Sequence, residues 1–157
     1  MQSYFIWKFL HLIGASVLLG TGAGIAFFML LAHRTGRAAT VAAVSRIVVI
    51  ADYAFTATAA IAQPITGLLL ASSAGHALSE SWIIVSVVLY LVTGAFWLPV
   101  VGMQTRMRDL AAAAERDATP LPAEYHSLFN AWFACGFPAF ASILAIVWLM
   151  ITRPSLW

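Results

Sequence analysis

Charge is what this chain has least of. Eight Lys and Arg and six Asp and Glu are spread over 157 residues, so charged side chains make up 9% of the sequence. A soluble domain carries about 25%. The formal excess of +2 is small and its basic groups are scattered, which excludes a nucleic-acid-binding face. One cysteine, Cys135, excludes an intramolecular disulfide. It lies in an apolar run and reads as packing, with no redox role implied. No Cys-His or His-Glu pattern has the spacing of a structural zinc site. The stretch Met1–Phe5 has no basic segment, the run that follows is too long for a signal peptide, and no small-residue cleavage site follows. The first apolar segment therefore reads as a retained span.

Apolar surface is what the chain has in excess. Hydrophobic residues make up 62% of it, and the mean hydropathy is +0.93. A bilayer core needs about 20 apolar residues in helical form, and only a helix satisfies every backbone group within one continuous run. Four runs qualify: Phe5–Ala32, about Ile47–Ala71, Trp82–Met103 and about Phe129–Ile151. The expected fold is all-α, a single four-span membrane bundle over residues 1–157, with helices near 4–33, 41–72, 80–117 and 122–152. The connections are Arg34–Arg46, Ser72–Ser81 and Gln104–Leu128.

Basic residues set the expected orientation. The first connection holds Arg34, Arg37 and Arg46, the third holds Arg106, Arg108 and Arg116, and the second holds none. The positive-inside rule puts the first and third in the cytoplasm and both termini outside. Trp7, Trp82, Trp148 and Trp157 then fall toward the outer interface, as an aromatic belt does. Gln104–Ala118 reads as a polar continuation of the third helix, with Arg106 and Asp109 at helical spacing. Thr119-Pro120-Leu121-Pro122 breaks it, and Pro122 suits the start of the fourth helix.

Pro64, Pro99 and Pro138 fall inside the second, third and fourth helices and free the carbonyls of Ala60, Ala95 and Ala134. They read as kinks, or as devices that open a central cavity. Gly14, Gly20, Gly22 and Gly24 line the first helix. They read as close helix approach, or as room for a flat cofactor.

Ionisable residues inside a span are costly, so each is a candidate site. His11 lies about two turns into the first span, in Trp7-Lys8-Phe9-Leu10-His11-Leu12. Imidazole is the commonest side chain for a transition metal or haem iron. His11 is therefore the first candidate for cofactor binding, as a ligand to haem iron. His33 closes the first helix and His126 opens the fourth, and both are further candidates; His76 sits in a short outer loop. Ten Phe, six Trp and four Tyr provide the apolar wall a haem requires. Helix two is the most polar span, with Asp52, Thr56, Thr58, Gln63 and Thr66. Asp52 is the candidate catalytic residue, either as a proton relay or as a neutral acid bonded to a neighbouring helix. A salt bridge to Arg46 is on the wrong helical face.

These residues carry a resemblance. Tyr4–Gly14, Ala32-His33-Arg34, Ala51-Asp52-Tyr53, Gln63-Pro64-Ile65-Thr66-Gly67, Trp97-Leu98-Pro99, Arg106–Leu110, Tyr125–Phe129 and Pro138 resemble an uncharacterised bacterial family of predicted four-span membrane proteins. A weaker similarity runs to the HemJ-type protoporphyrinogen oxidases. It rests on Lys8-Phe9-Leu10-His11, on His33, on Phe129-Asn130 and on Arg153-Pro154. That family is a four-span fold that binds haem b, and its first-helix histidine is implicated in doing so. The resemblance implies the same role for His11 and matches His33 to the second histidine. Ala26–Leu31 stands where that type has a Leu-Pro-Arg segment before the closing histidine, so the arginine suited to a porphyrin carboxylate is missing.

The expected function is a multi-pass inner-membrane haem b protein with a redox or electron-transfer role, a haem-dependent oxidoreductase acting on a quinol or porphyrinogen-like substrate. Its expected partners are the bilayer, a quinone or porphyrin, and a second copy of the chain. The alternatives are a small proton- or metal-linked transporter or channel, and a membrane assembly subunit without a catalytic site.

Overall fold

The computed structural model describes residues 2–157. It consists of five α-helices: α1 (Gln2–Arg34), α2 (Ala38–Ala51), α3 (Thr58–Ser73), α4 (Ser81–Arg116) and α5 (Ala123–Thr152). A π-helical segment, Asp52–Ala57, joins α2 to α3 without a break. The result is four candidate membrane spans: Gln2–Arg34, Ala38–Ser73, Ser81–Arg116 and Ala123–Thr152. The chain is thus an all-α four-span bundle with no strand among the described residues.

The second span begins earlier than its apolar run. Residues 38–46 are helical, and Val41, Ala42 and Ser45 are buried. The first connection therefore shrinks to a turn in which Gly36 takes a φ of +64°, the left-handed conformation that glycine adopts without strain. Helix α3 ends in a Schellman motif, with the His76 amide bonded to the Ala71 carbonyl at 3.0 Å and the Gly75 amide to Ser72 at 3.1 Å. Helix α4 runs unbroken through Gln104 to Arg116. Its extension is anchored by Met107, Ala111 and Ala114, all buried. Arg106 there reaches Glu124 (Nε–Oε1 2.8 Å) rather than Asp109, which Arg108 engages instead.

Helices α4 and α5 pack along one another, α1 packs on α3 and α2, and α2 bridges to α4; α1 and α5 approach at few points. The core is concentrated at the arginine-bearing end, hereafter the basic end. Ile25, Met29, Val41, Val48, Met107, Tyr125, Phe129 and Trp132 meet there. The opposite, termini end has a thin cluster of Ala71, Trp82, Ile83 and Leu149. Large apolar side chains such as Phe9, Ile61, Leu91 and Leu98 stand on the outside, the surface that a bilayer covers.

Candidate functional site

His11 sits in a reciprocal lock between α1 and α3. Its ring lies against Gly67, where an added Cβ would stand 3.1 Å from His11 Cε1. One turn further, Gln63 of α3 lies against Gly14 of α1, where an added Cβ would stand 2.7 Å from the end of the amide group. Each helix therefore offers a glycine to the other's polar side chain, a close approach only a residue without Cβ permits. In the orientation that satisfies its neighbours, the Gln63 amide donates to the His11 carbonyl (3.0 Å) and accepts from the Ala15 amide (3.1 Å).

The two His11 ring nitrogens face different environments. Nδ1 lies 3.1 Å from Thr66 Oγ1. Nε2 lies 3.4 Å from the thioether sulfur of Met150, across the gap to α5. Nδ1 has polar partners on α3, whereas Nε2 meets only sulfur, a weak acceptor. The ring is 7% exposed, so a partner group here is required rather than optional.

Asp52 forms a second polar centre nearer the basic end. It opens the π-helical segment and is 4% exposed. The Trp97 indole donates to Oδ1 (3.3 Å). In its satisfied orientation Gln104 donates to Oδ2 (3.1 Å) and accepts from the Trp132 indole (3.2 Å). Both N–H donors to the carboxyl come from α4, and Gln104 links it on to Trp132 of α5; among the described residues no Lys or Arg is paired to it, and Arg46 is exposed. The π-helix widens the turn and frees backbone acceptors. Thr58 meets two of them, donating toward Ala54 O (2.7 Å) and Phe55 O (3.0 Å). The Thr56 hydroxyl, one turn from Asp52, is buried with no hydrogen-bond partner.

The two centres lie on one face of the second span. Asp52, Thr56, Ala59, Gln63 and Thr66 are all buried, spaced alternately four and three residues apart as one helical stripe is. From Asp52 to Thr66 the rise is about 21 Å. A groove of about 350 Å³ runs beside this stripe, with Gly14 and Val17 of α1 facing Phe55, Ala59 and Ala62.

The other histidines fall elsewhere. His33 and His126 are brought together at the basic end, their ring centroids 5.5 Å apart and nearly perpendicular. Phe129 covers one face of His33, stacked at 3.7 Å, and Tyr125 OH lies 3.3 Å from its Nδ1. His76 stays in the outer loop. It sits between Arg153 (3.2 Å to Nε2) and Glu80 (3.1 Å from Nδ1). The Trp82 indole, followed by His76 and the Ala77 amide, holds the Glu80 carboxyl below its ordinary value. Met150, Trp97, Gln104 and Trp132 complete the two centres; Met150, an apolar residue in an apolar run, carries no signal that would single it out.

No curated protein and no solved structure matches the chain. A family model described as "Predicted integral membrane protein (DUF2269)" matches residues 5–154, nearly the whole sequence and all four spans. The chain therefore belongs to this family of integral membrane proteins.

Proposed function

We propose that this protein is a multi-pass haem b protein of the bacterial cytoplasmic membrane with a redox role, its basic end in the cytoplasm. The observation that carries the reading is the His11 ring. It is buried in a span, tied to α3 through Nδ1, and turned so that Nε2 faces the gap to α5. Ligating histidines are anchored through their second nitrogen in this way; for iron to reach Nε2, Met150, 3.4 Å away, and the helix that carries it would have to give way. Haem brings its own four equatorial nitrogens, so a site with one or two protein ligands is sufficient. The Gly67 cradle brings α3 against one face of the ring and keeps its plane fixed.

Bound at His11, haem b supplies a one-electron couple near the termini end of the bundle. The remaining work belongs to the protein. Asp52 holds or releases a proton at its carboxyl, steadied by Trp97 and Gln104. The reductant enters from the lipid phase, as a quinol or porphyrinogen-like molecule does. The reading is confined to one haem, because Phe129 lies flat on His33.

A second reading, proton- or metal-linked transport, is favoured by the buried stripe from Asp52 to Thr66. One experiment separates them. The detergent-purified protein is scanned oxidised and dithionite-reduced and assayed as pyridine haemochrome. Near-stoichiometric haem, lost in His11→Ala, is the expected result. A protein that stays colourless after haem reconstitution sinks the redox reading, and proton flux in liposomes, abolished by Asp52→Asn, then tests transport.

A further inference from the structure

We propose that a hollow at the termini end of the bundle binds the headgroup of a zwitterionic phospholipid with a primary amine, its phosphate on Arg153 and its ammonium on Glu80. The inference stands apart from the haem reading and uses none of its residues.

The hollow, of about 250 Å³, lies between the loop before α4, the first turn of α4 and the tail that follows α5. Arg153, Glu80, Ser79 and Ser155 give it charged and hydroxyl groups, and Trp82 and Trp157 give it aromatic walls. Ser81 fixes the tail. It is buried, and its hydroxyl donates to the Pro154 carbonyl (3.4 Å) and accepts from the Leu156 amide (2.9 Å). Arg153 follows the end of α5 with a φ of +45°, in the left-handed region that a helix end ordinarily gives to glycine. A side chain is disfavoured in that conformation, yet here it belongs to a cation in the wall of the hollow.

The two charges of the hollow are held apart. Among the described residues Arg153 has no acidic group within ion-pair distance. One guanidinium nitrogen donates to His76 Nε2 (3.2 Å), and the other ring nitrogen, Nδ1, lies 3.1 Å from the Glu80 oxygens. The imidazole therefore stands between guanidinium and carboxylate. A guanidinium has five N–H donors in a fork that matches phosphate, so most of Arg153 is left for an anion. Glu80 accepts from Trp82, Ala77 and His76, which leaves about one of its four lone-pair sites for a further donor. One cation and one anion separated on a single wall complement a zwitterion better than a ligand of one sign. A primary ammonium can donate to Glu80, whereas a quaternary one has no hydrogen to give.

Position selects a lipid as the carrier of that headgroup. The hollow lies where α4 begins and α5 ends, so it sits at the level at which the spans leave the bilayer. Trp148 and Trp157 are exposed at the same end, as interfacial tryptophans are. Acyl chains attached to a headgroup held there run down the apolar outer face of the bundle.

The test uses the full-length protein in detergent, incubated with equal amounts of phosphatidylethanolamine, phosphatidylcholine and phosphatidylglycerol of identical acyl chains, with native mass spectrometry reading the bound lipid. Wild type is expected to retain one phosphatidylethanolamine about tenfold over either competitor, the worth of one charge-assisted hydrogen bond. Arg153→Gln should lose that retention. Glu80→Gln should bring phosphatidylethanolamine level with phosphatidylcholine. Equal retention of the three lipids by wild type overturns the proposal and needs no variant, so a poorly folding substitution does not blunt the test. An Arg153→Gln protein that holds phosphatidylethanolamine as wild type does overturns it too. Water-soluble glycerophosphoethanolamine at the same concentration should fail to displace the lipid; displacement would overturn the lipid as the source of the headgroup.

Discussion

Tyr90 of α4 donates its hydroxyl hydrogen to the backbone carbonyl of Ala60 in α3, the acceptor that Pro64 leaves without its helical donor. The proline alone is a defect, since its ring nitrogen cannot bond one turn back. The tyrosine, thirty residues further along the chain, converts that defect into a tie between helices. Tyr90→Phe should destabilise the bundle by about 1–2 kcal/mol, measured by SDS or thermal unfolding in detergent. Pro64→Ala returns an amide hydrogen to the Ala60 carbonyl, so adding Tyr90→Phe to it should cost less than in wild type. Additive effects in this cycle would show that the two residues are not coupled.

The His11–Gly67 and Gln63–Gly14 lock makes a contrast among glycines. An added Cβ at Gly14 or Gly67 falls at 2.7 Å or 3.1 Å from a side chain of the other helix, whereas at Gly20 and Gly94 it meets nothing within 4 Å. Overpacking costs about 1–3 kcal/mol, while alanine gains up to about 1 kcal/mol over glycine in a helix. Gly14→Ala and Gly67→Ala should therefore lower the unfolding midpoint, and Gly20→Ala and Gly94→Ala should leave it level or raise it. Equal behaviour at all four positions would contradict the lock.

The contrast also marks what was legible in the sequence. Hydropathy located the four spans, because length and charge scarcity are one-dimensional properties. It started the second apolar run at about Ile47, since Arg34, Arg37 and Arg46 crowd the stretch before it, and the helix was expected from about residue 41; the helix begins at Ala38. The depth of Asp52 and His11 was readable, and both are buried. Their partners were not. In a span apolar all round, no periodicity fixes helix rotation, so nothing distinguished Gly14 from Gly20, or Met150 from any other apolar residue of α5. The π-helical turn left no trace either, since Asp52–Ala57 is compositionally ordinary.

Asp52 gains both of its partners from N–H donors, Trp97 on Oδ1 and Gln104 on Oδ2. Asp52→Asn keeps the shape but turns an amide group toward one of those donors. Gln104 can reverse to accommodate it only by giving up the Trp132 indole. One buried hydrogen bond is lost in either case, so the substitution should cost about 1–3 kcal/mol. Gln104→Leu leaves both the carboxyl oxygen and the Trp132 indole unpaired and should cost more. Detergent unfolding of the two variants and their double checks the order; an Asp52→Asn protein as stable as wild type would mean that the carboxyl is not held by this network.

At the termini end, Glu80 ties the loop between α3 and α4 to the end of α5. Trp82 Nε1 donates to Oε2 (2.7 Å), Ala77 N to Oε1 (2.9 Å), and His76 Nδ1 lies 3.1 Å from both oxygens. Arg153 closes the chain by donating to His76 Nε2 at 3.2 Å. These donors favour the carboxylate, the Trp82 indole most, and hold Glu80 below its ordinary 4.5. The sign follows from linkage: the folded form binds its proton less readily than the unfolded one, so the tie is fully present above about 4.5 and fades as pH falls through the depressed value. Trp82 reports it directly. Its emission, taken as the difference between wild type and Trp82→Phe, should change in acid as the indole loses its acceptor. Glu80→Gln removes the titrating group and should flatten the acid transition at Trp82. An unchanged transition in that variant would assign it to another carboxyl.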